Sequence, residues 1–242
     1  MNLLEIRTQF IKISGRYDLI SSVEDYTNNG ADFYIQSGQD MLDRMANFRH
    51  SPKKVFKTLA VDGWYAVYNK CRAVKRVWIS KSDSKYELAK RDLHELKNYY
   101  GKPASEIDSG NPLYYSPCVT LQGPGADETE MTIDSFGGSA TTDSSSPYDN
   151  NAILILPPTD TELEVEIHGL FYSNTLSENT DQSVWSVLFP MVLIWAALYQ
   201  LEVSYRNTRG AEDWLLAITR ELTNIDKDGV EEEIAGVNQI EG

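Results

Sequence analysis

The sequence predicts an α+β protein in which a helical bundle, built from the N- and C-terminal segments, carries an inserted antiparallel β-sheet or sandwich. Apolar residues recur at spacings of three and four near both ends of the chain, as amphipathic helices require. In the middle the period drops to two, and β-branched and aromatic residues take over, as in half-buried strands. With 242 residues and 41% hydrophobic content, the chain can build a sizeable core without disulfides or metal. The expected division is a bundle from 1–50 and 182–225, a β-rich domain over 51–181 with one helix (84–100) and a long loop (122–151), and an acidic tail over 226–242.

Leu3, Ile6, Phe10 and Ile13 share one face of a short helix over 2–14, closed by Gly15. A polar turn follows at Asp25-Tyr26-Thr27-Asn28-Asn29-Gly30. The next helix is expected over 30–48, with Tyr34, Met41, Met45 and Phe48 on one side and Ile35 and Leu42 beside them. The β-rich runs 55–61 and 64–69 are separated by Asp62-Gly63, which predicts a tight type I′ hairpin. A third strand is expected at 73–80. Ser84-Lys85-Tyr86-Glu87 has the form of a capping box and predicts a helix with Tyr86, Ala89, Leu93, Leu96 and Tyr100 inward, stopped by Gly101 and Pro103.

A strand at 112–121 leads into 122–151, where Gly, Pro, Ser, Thr, Asp and Asn dominate; this predicts a long loop or ordered arm with a short strand at 131–136. An apolar strand is expected at 152–156. Beyond it Leu163, Val165, Ile167 and Phe171 alternate with Glu162, Glu164, Glu166 and His168, predicting a strand with one face in solvent. Pro190 suits the first turn of a helix that reaches Arg206 and is apolar nearly all round, so it is expected at the centre of the core. Thr208 is expected to cap a last helix with Ala211, Trp214, Ile218, Leu222 and Ile225 inward. In the acidic tail Val230, Ile234, Val237 and Ile240 recur at helical spacing.

The 36 acidic against 22 basic residues give a net charge of -14. That balance argues against a protein that holds nucleic acid by neutralising phosphates, and against binding an anionic membrane. It suits a surface that DNA passes without sticking. Two cysteines, Cys71 and Cys118, are too few for a disulfide scaffold and fit reduced thiols. The opening Met1-Asn2-Leu3-Leu4-Glu5-Ile6-Arg7 has no secretory pattern. The uncharged stretch 182–201 contains Pro190 and is flanked by Asp181 and Glu202, so it reads as a core helix and not a membrane span.

No catalytic motif stands out. Asp25, Thr27, Asn29 and Gly30 resemble the start of a calcium loop, but Gln36 stands where the bidentate Glu should be, and a helix-capping turn explains them better. His50, His94 and His168 have no zinc-ligand spacing, and no nucleophile elbow frames a serine. Gly137-Gly138-Ser139 lacks the lysine and the leading strand of a phosphate loop. Glu231-Glu232-Glu233 reads as a solvated run. Arg72, Lys75 and Arg76 beside Trp78 read as a salt-bridged strand edge before a stacking platform for nucleic acid. No catalytic, cofactor or metal residue is assigned.

Several segments in order resemble tailed-phage head-to-tail adaptors (connector or head-completion proteins): LLEIRTQFIKISGRYDLI, DYTNNGADFYIQSGQDMLDR, VKRVWIS, NPLYYSP, ILILPPTDTELEVEIHGLFYS, WAALYQLEVSYRN and DKDGVEEEIAGVNQIEG. The series spans nearly the whole chain and departs from the family pattern at 122–151, where a tight β-turn would be expected. The resemblance implies a non-enzymatic virion protein of the neck between capsid and tail. It would form a ring, a homododecamer, beneath the portal, extend the DNA channel, and offer a platform for the tail or nozzle protein. The implied partners are copies of itself, the portal, the next tail protein and genomic DNA passing through the lumen without sequence-specific contact, with no membrane and no cofactor. By the same resemblance the terminal segment, around Val230, Ile234, Val237 and Ile240, would embrace the portal. A virion-associated peptidoglycan hydrolase, or another neck or tail-completion protein, is the alternative.

Overall fold

A computed structural model describes residues 1–45, 52–81, 84–122, 130–133, 141–143 and 150–234. In chain order the elements are α1 (Leu3–Ser14), β1 (Ile20–Ser22), β2 (Thr27–Asn28), α2 (Ala31–Met45), β3 (Pro52–Leu59), β4 (Tyr65–Asn69), β5 (Cys71–Lys81), β6 (Ser84–Glu87) and β7 (Ala89–Lys90). Then come α3 (Leu93–Tyr100), β8 (Tyr114–Gln122), β9 (Glu130–Ile133), β10 (Thr141–Asp143), β11 (Asn150–Leu156), β12 (Leu163–Phe171), α4 (Val184–Leu188), α5 (Pro190–Ser204) and α6 (Thr208–Ile234). The protein is α+β, and it divides into a helical unit, Met1–Ser51 with Tyr172–Gly242, and a β-rich unit, Pro52–Phe171.

In the helical unit α1 begins at a reciprocal cap between Asn2 and Glu5 and ends on Gly15 in the left-handed conformation, φ 68°. Its buried residues Leu3, Ile6, Phe10 and Ile11 meet α5. Pro190 opens α5, whose Val192, Leu193, Ile194, Ala196, Ala197, Leu198 and Leu201 are all buried, as a helix apolar all round should be. On α6 Ala211, Ile218 and Ile225 are buried, with Trp214 and Leu222 packed against the core, as their spacing predicts. The cap differs from expectation: Asn207, not Thr208, accepts from Gly210 N, and Thr208 is already helical.

The buried stripe of α2 is rotated from the predicted one. Ala31, Ile35, Gly38, Gln39, Leu42 and Asp43 are buried, Tyr34 and Met41 are half-buried, Met45 is exposed, and Phe48 lies outside the described residues. The reason is close approach. A Cβ on Gly38 would come within 2.7 Å of Ala197 N, so α2 and α5 touch backbone to backbone there. The polar members of the stripe hold the returning chain. Gln36 Oε1 accepts from Leu176 N, Gln39 Nε2 donates to Asn174 O, and Asp43 accepts from Ser173 N, Ser173 Oγ and Trp185 Nε1. Arg7 adds a bidentate pair with Asp32 and donates to Tyr26 O and Asn179 Oδ1. Residues 172–181 therefore belong to the helical unit, and the boundary expected at 181 falls at 171.

The β-rich unit is a sandwich. One sheet has the order β3-β12-β5-β6; the other has β10-β9-β8-β11-β4, with β7 pairing parallel to β8. Leu59, Val77, Ile79, Val165 and Ile167 from the first meet Ala66, Tyr68, Tyr115, Ile153 and Ile155 from the second in one core. Leu96 of α3 packs with Trp64, Ala152, Leu154 and Leu156 on the second sheet's other face. Burial raises the pKa of the Cys71 thiol and the Tyr115 hydroxyl in this core.

Two expectations fail here, and a third is met in part. The strands flanking Asp62-Gly63 do not form a hairpin: β3 pairs with β12 and β4 with β11, so the turn carries the chain from one sheet to the other. Only Asp62 takes a positive φ, 61°, where a type I′ turn needs two. The turn is tied instead to the 157–159 bend, with Asp62 N donating to Thr159 O and Thr159 N to Gly63 O. Next, Ser84–Glu87 is a strand paired with β5, not a helix start; α3 begins only at Leu93, capped by Asp92 accepting from His94 N, and ends at Gly101 as expected. Last, 122–151 is not simply a loop. β9 pairs with β8 and β10 with β9, which extends that sheet; β9 overlaps the short strand expected at 131–136. Among the described residues no helix is long and apolar enough to cross a membrane.

Gly38 tests the helix crossing. Alanine raises helix propensity by about 1 kcal/mol, but its methyl would meet backbone that yields only if the helices part, which costs about 1–3 kcal/mol. Because the clash is with backbone, Gly38→Ala is expected to lower the urea midpoint; a raised midpoint would show that the helices have room.

Candidate interaction surfaces

The described residues hold no group of three or more His, Cys, Asp or Glu arranged for a metal ion. The Asp25–Gly30 turn closes the β1–β2 ladder and starts α2, with Asn28 Oδ1 accepting from Gly30 N and Asp32 N. His94 is exposed at the start of α3. His50 and Gly137-Gly138-Ser139 lie outside the described residues.

Two apolar patches stand at opposite ends of α5. At its N-terminal end Val187, Leu188 and Met191 are each about half exposed, on or beside the short helix α4. Burial of Trp185 and the Ser183–Ser186 reciprocal cap fix α4, and Pro190 breaks the path into α5, so these side chains are turned outward together. At the C-terminal end Phe33 is 69% and Tyr205 51% exposed. Phe33 stacks edge-on against Tyr34 at 5.4 Å, Tyr34 Oη accepts from Ser204 Oγ, and the Arg16 guanidinium lies 4.1 Å from the Tyr205 ring. Arg16 also bonds Tyr205 Oη and pairs with Asp18, which holds the Asp18 carboxyl below its usual value. The 15 residues of α5 separate the patches by about 20 Å. In sequence these apolar residues look like core; only the structure shows them outside.

The second surface is the outer face of β3-β12-β5-β6. Alternation sends Val165 and Ile167 into the core and Glu164, Glu166 and His168 away from it, as predicted. Glu166, however, is only 1% exposed, not solvated. Lys85 bonds its Oε2, Lys54 lies 2.9 Å from its Oε1, and His168 Nε2 is 2.7 Å from the same oxygen. The bonds from Lys85, then Lys54 and then His168 hold the Glu166 carboxyl down at about 2. Phe56 and Trp78 sit directly across from Glu166 on either side, and Phe56 is 55% exposed. Arg76 approaches Glu87 to 3.8 Å. β6 pairs with β5 only along 78–81, so among the described residues the stretch with Arg72, Lys75 and Arg76 has a ladder partner, β12, on one side alone, and with the Arg76–Glu87 pair it is the salt-bridged edge the sequence suggested.

The third is the terminal segment. α6 runs unbroken from Thr208 to Ile234, so the acidic segment begins as helix at Asp226. Val230 and Ile234 stand on that helix as backbone positions, as do Glu231-Glu232-Glu233; Val237 and Ile240 lie outside the described residues. No protein-family model matches the chain, and no curated protein matches it.

Glu166 gives a pH test. Its folded carboxyl titrates below its ordinary value of 4.5, so its contribution is complete above pH 4.5 and is lost as pH falls towards about 2. Glu166→Gln is expected to be less stable than the native chain at pH 7, with the difference in urea midpoint closing between pH 4.5 and 2. A difference independent of pH would mean that the carboxylate is not the stabilising species.

Proposed function

We propose that the protein is a non-enzymatic structural subunit that assembles as a ring of copies, a head-to-tail adaptor of a tailed-phage virion seated beneath the portal. The observation that carries this is the pair of unlike apolar patches at opposite ends of α5. A contact between unlike faces, repeated with a closing rotation, produces a ring; a contact between identical faces stops at a dimer. The order of family-like segments along the chain, from the first helix to DKDGVEEEIAGVNQIEG, supports the virion role.

The size of the patches bears on how such a ring would form. Completing the burial of Val187, Leu188 and Met191, each half exposed, offers about 1 kcal/mol apiece. Micromolar association needs about 8 kcal/mol beyond the entropy of binding. Copies are thus expected to stay apart in free solution and to close only on a template, which the portal supplies. The terminal segment with Val230, Ile234, Val237 and Ile240 is the portal-docking element in this reading, and the ring serves as the platform for the next tail or nozzle protein around passing genomic DNA. The work is done in the host cytoplasm during assembly and in the virion neck afterwards.

Electron microscopy of the chain mixed with purified portal tests this. The expected image is a symmetric collar, against a monomer in sedimentation without portal. Leu188→Asp should leave the monomer folded and remove the collar; removal of 235–242, which keeps α6 whole, should reduce portal binding. A stable monomer that ignores portals, or clearing of a peptidoglycan zymogram, would overturn the reading.

A further inference from the structure

The sheet β3-β12-β5-β6 has a charge unlike the rest of the chain. Its strands carry eight Lys and Arg, three on β3, four on β5 and one on β6, against three acids, Glu87, Glu164 and Glu166. Lys53, Lys57 and Lys81 alternate towards the core side, in phase with Val55, Leu59 and Ile79, which leaves five cations, Lys54, Arg72, Lys75, Arg76 and Lys85, against the three acids on the outer side, a net +2 within a chain of -14. One face of this sheet is sealed by the sandwich core. The other presents two adjacent cross-strand rows. Phe56, Glu166, Trp78 and Glu87 form the first; Lys54, His168 and Arg76 form the second, with Arg76 3.8 Å from Glu87. Strand spacing puts the two rings about 10 Å apart, and the cationic row lies about 7 Å further along the strands.

We propose that this face binds single-stranded nucleic acid, with bases on Phe56 and Trp78 and the phosphodiester backbone along Lys54, Lys75 and Arg76. Aromatic faces beside a track of cations are what an unpaired strand needs, because its bases are free to stack and its charge is spaced along it. A duplex hides its base faces, and an acidic protein segment would use the cations but leave the exposed Phe56 ring without a flat partner. Glu166 acts here as a positioning residue. It draws the Lys54 and Lys85 ammoniums onto the sheet, one of them 5.8 Å from the Trp78 ring, and two ammoniums against one carboxylate leave positive charge beside the aromatics. Lys75, exposed at the bulge opposite His168 and Gly169, extends the cationic row. The proposal stands apart from the adaptor reading, since a single copy carries the whole face.

The test is fluorescence anisotropy of the full chain with a labelled oligothymidylate of about 20 nucleotides, with salt as the second variable. Binding is expected at low salt and should weaken as salt rises. Lys75→Glu with Arg76→Glu should weaken it at least about tenfold and flatten the log–log salt slope by about 1.4, two cations at about 0.7 each. Phe56→Ala, at an exposed position that leaves folding intact, should weaken it by about 5- to 150-fold. The proposal is overturned if the oligonucleotide does not bind at low salt, if Phe56→Ala binds as well as the native chain, or if a duplex of the same length binds as tightly. Competition by poly-glutamate at equal charge, insensitive to Phe56→Ala, would also overturn it and make the face a site for acidic protein. None of these outcomes depends on ring formation.

Discussion

The architecture depends on how the chain comes home after its excursion through 52–171. The returning backbone at 173–176 has no strand or helix to satisfy it, so α2 supplies the partners from Gln36, Gln39 and Asp43, three positions on one helical face. Asp43 carries the most weight. Its carboxylate is buried and accepts three bonds, including one from Trp185, the largest fully buried side chain. Bonds to a charged group contribute about 1.5–3 kcal/mol each, and a buried charge stripped of its donors costs more than that. This clamp sets where α4 and then α5 begin, and α5 is the helix around which α1, α2 and α6 pack.

That arrangement explains why a helix apolar on every side ends in exposed apolar patches. The middle of α5 is covered by three helices, but covering elements must turn or stop at its ends. Gly15 turns the chain after α1, α2 starts at Ala31 with Phe33 outward, and α4 breaks away before Pro190. Each end is therefore capped incompletely, and by different side chains. Burial is a demand that a partner can meet, and two unlike ends are what a contact between unlike faces of two copies would require.

What could be read from the sequence follows from the range of the forces involved. Period and caps are local, so the extent of α1, α5, the inward face of α6 and the alternation of β12 were legible, though Ile13, expected inward on α1, is exposed and Ile11 is buried. Pairing is not local. Asp62-Gly63 specifies a turn but not which strands lie beside it, and the β3 and β4 runs found better partners in β12 and β11. Ser84 to Glu87 met the local rule for a helix start and lost to an open ladder beside β5. On α2 the hydrophobic count pointed to Tyr34 and Met41, because a glycine chosen for close approach and three polar residues chosen for hydrogen bonds carry no apolar signal. The patches at the ends of α5 were invisible for the opposite reason: an apolar residue left outside reads the same as one inside.

Glu166 shows how the same limit applies to charge. Alternation rightly sent it away from the core, yet that direction does not mean solvent when lysines from two neighbouring strands converge on it. The carboxylate is covered by its own counter-ions, and their stems shield it from water. Net charge is an even blunter guide. At an ionic strength near physiological the Debye length is about 8 Å, so a ligand on one sheet senses the cations of that sheet and little of the acids elsewhere. A chain of -14 can therefore hold a face of the opposite sign, because composition describes the average surface and not this one.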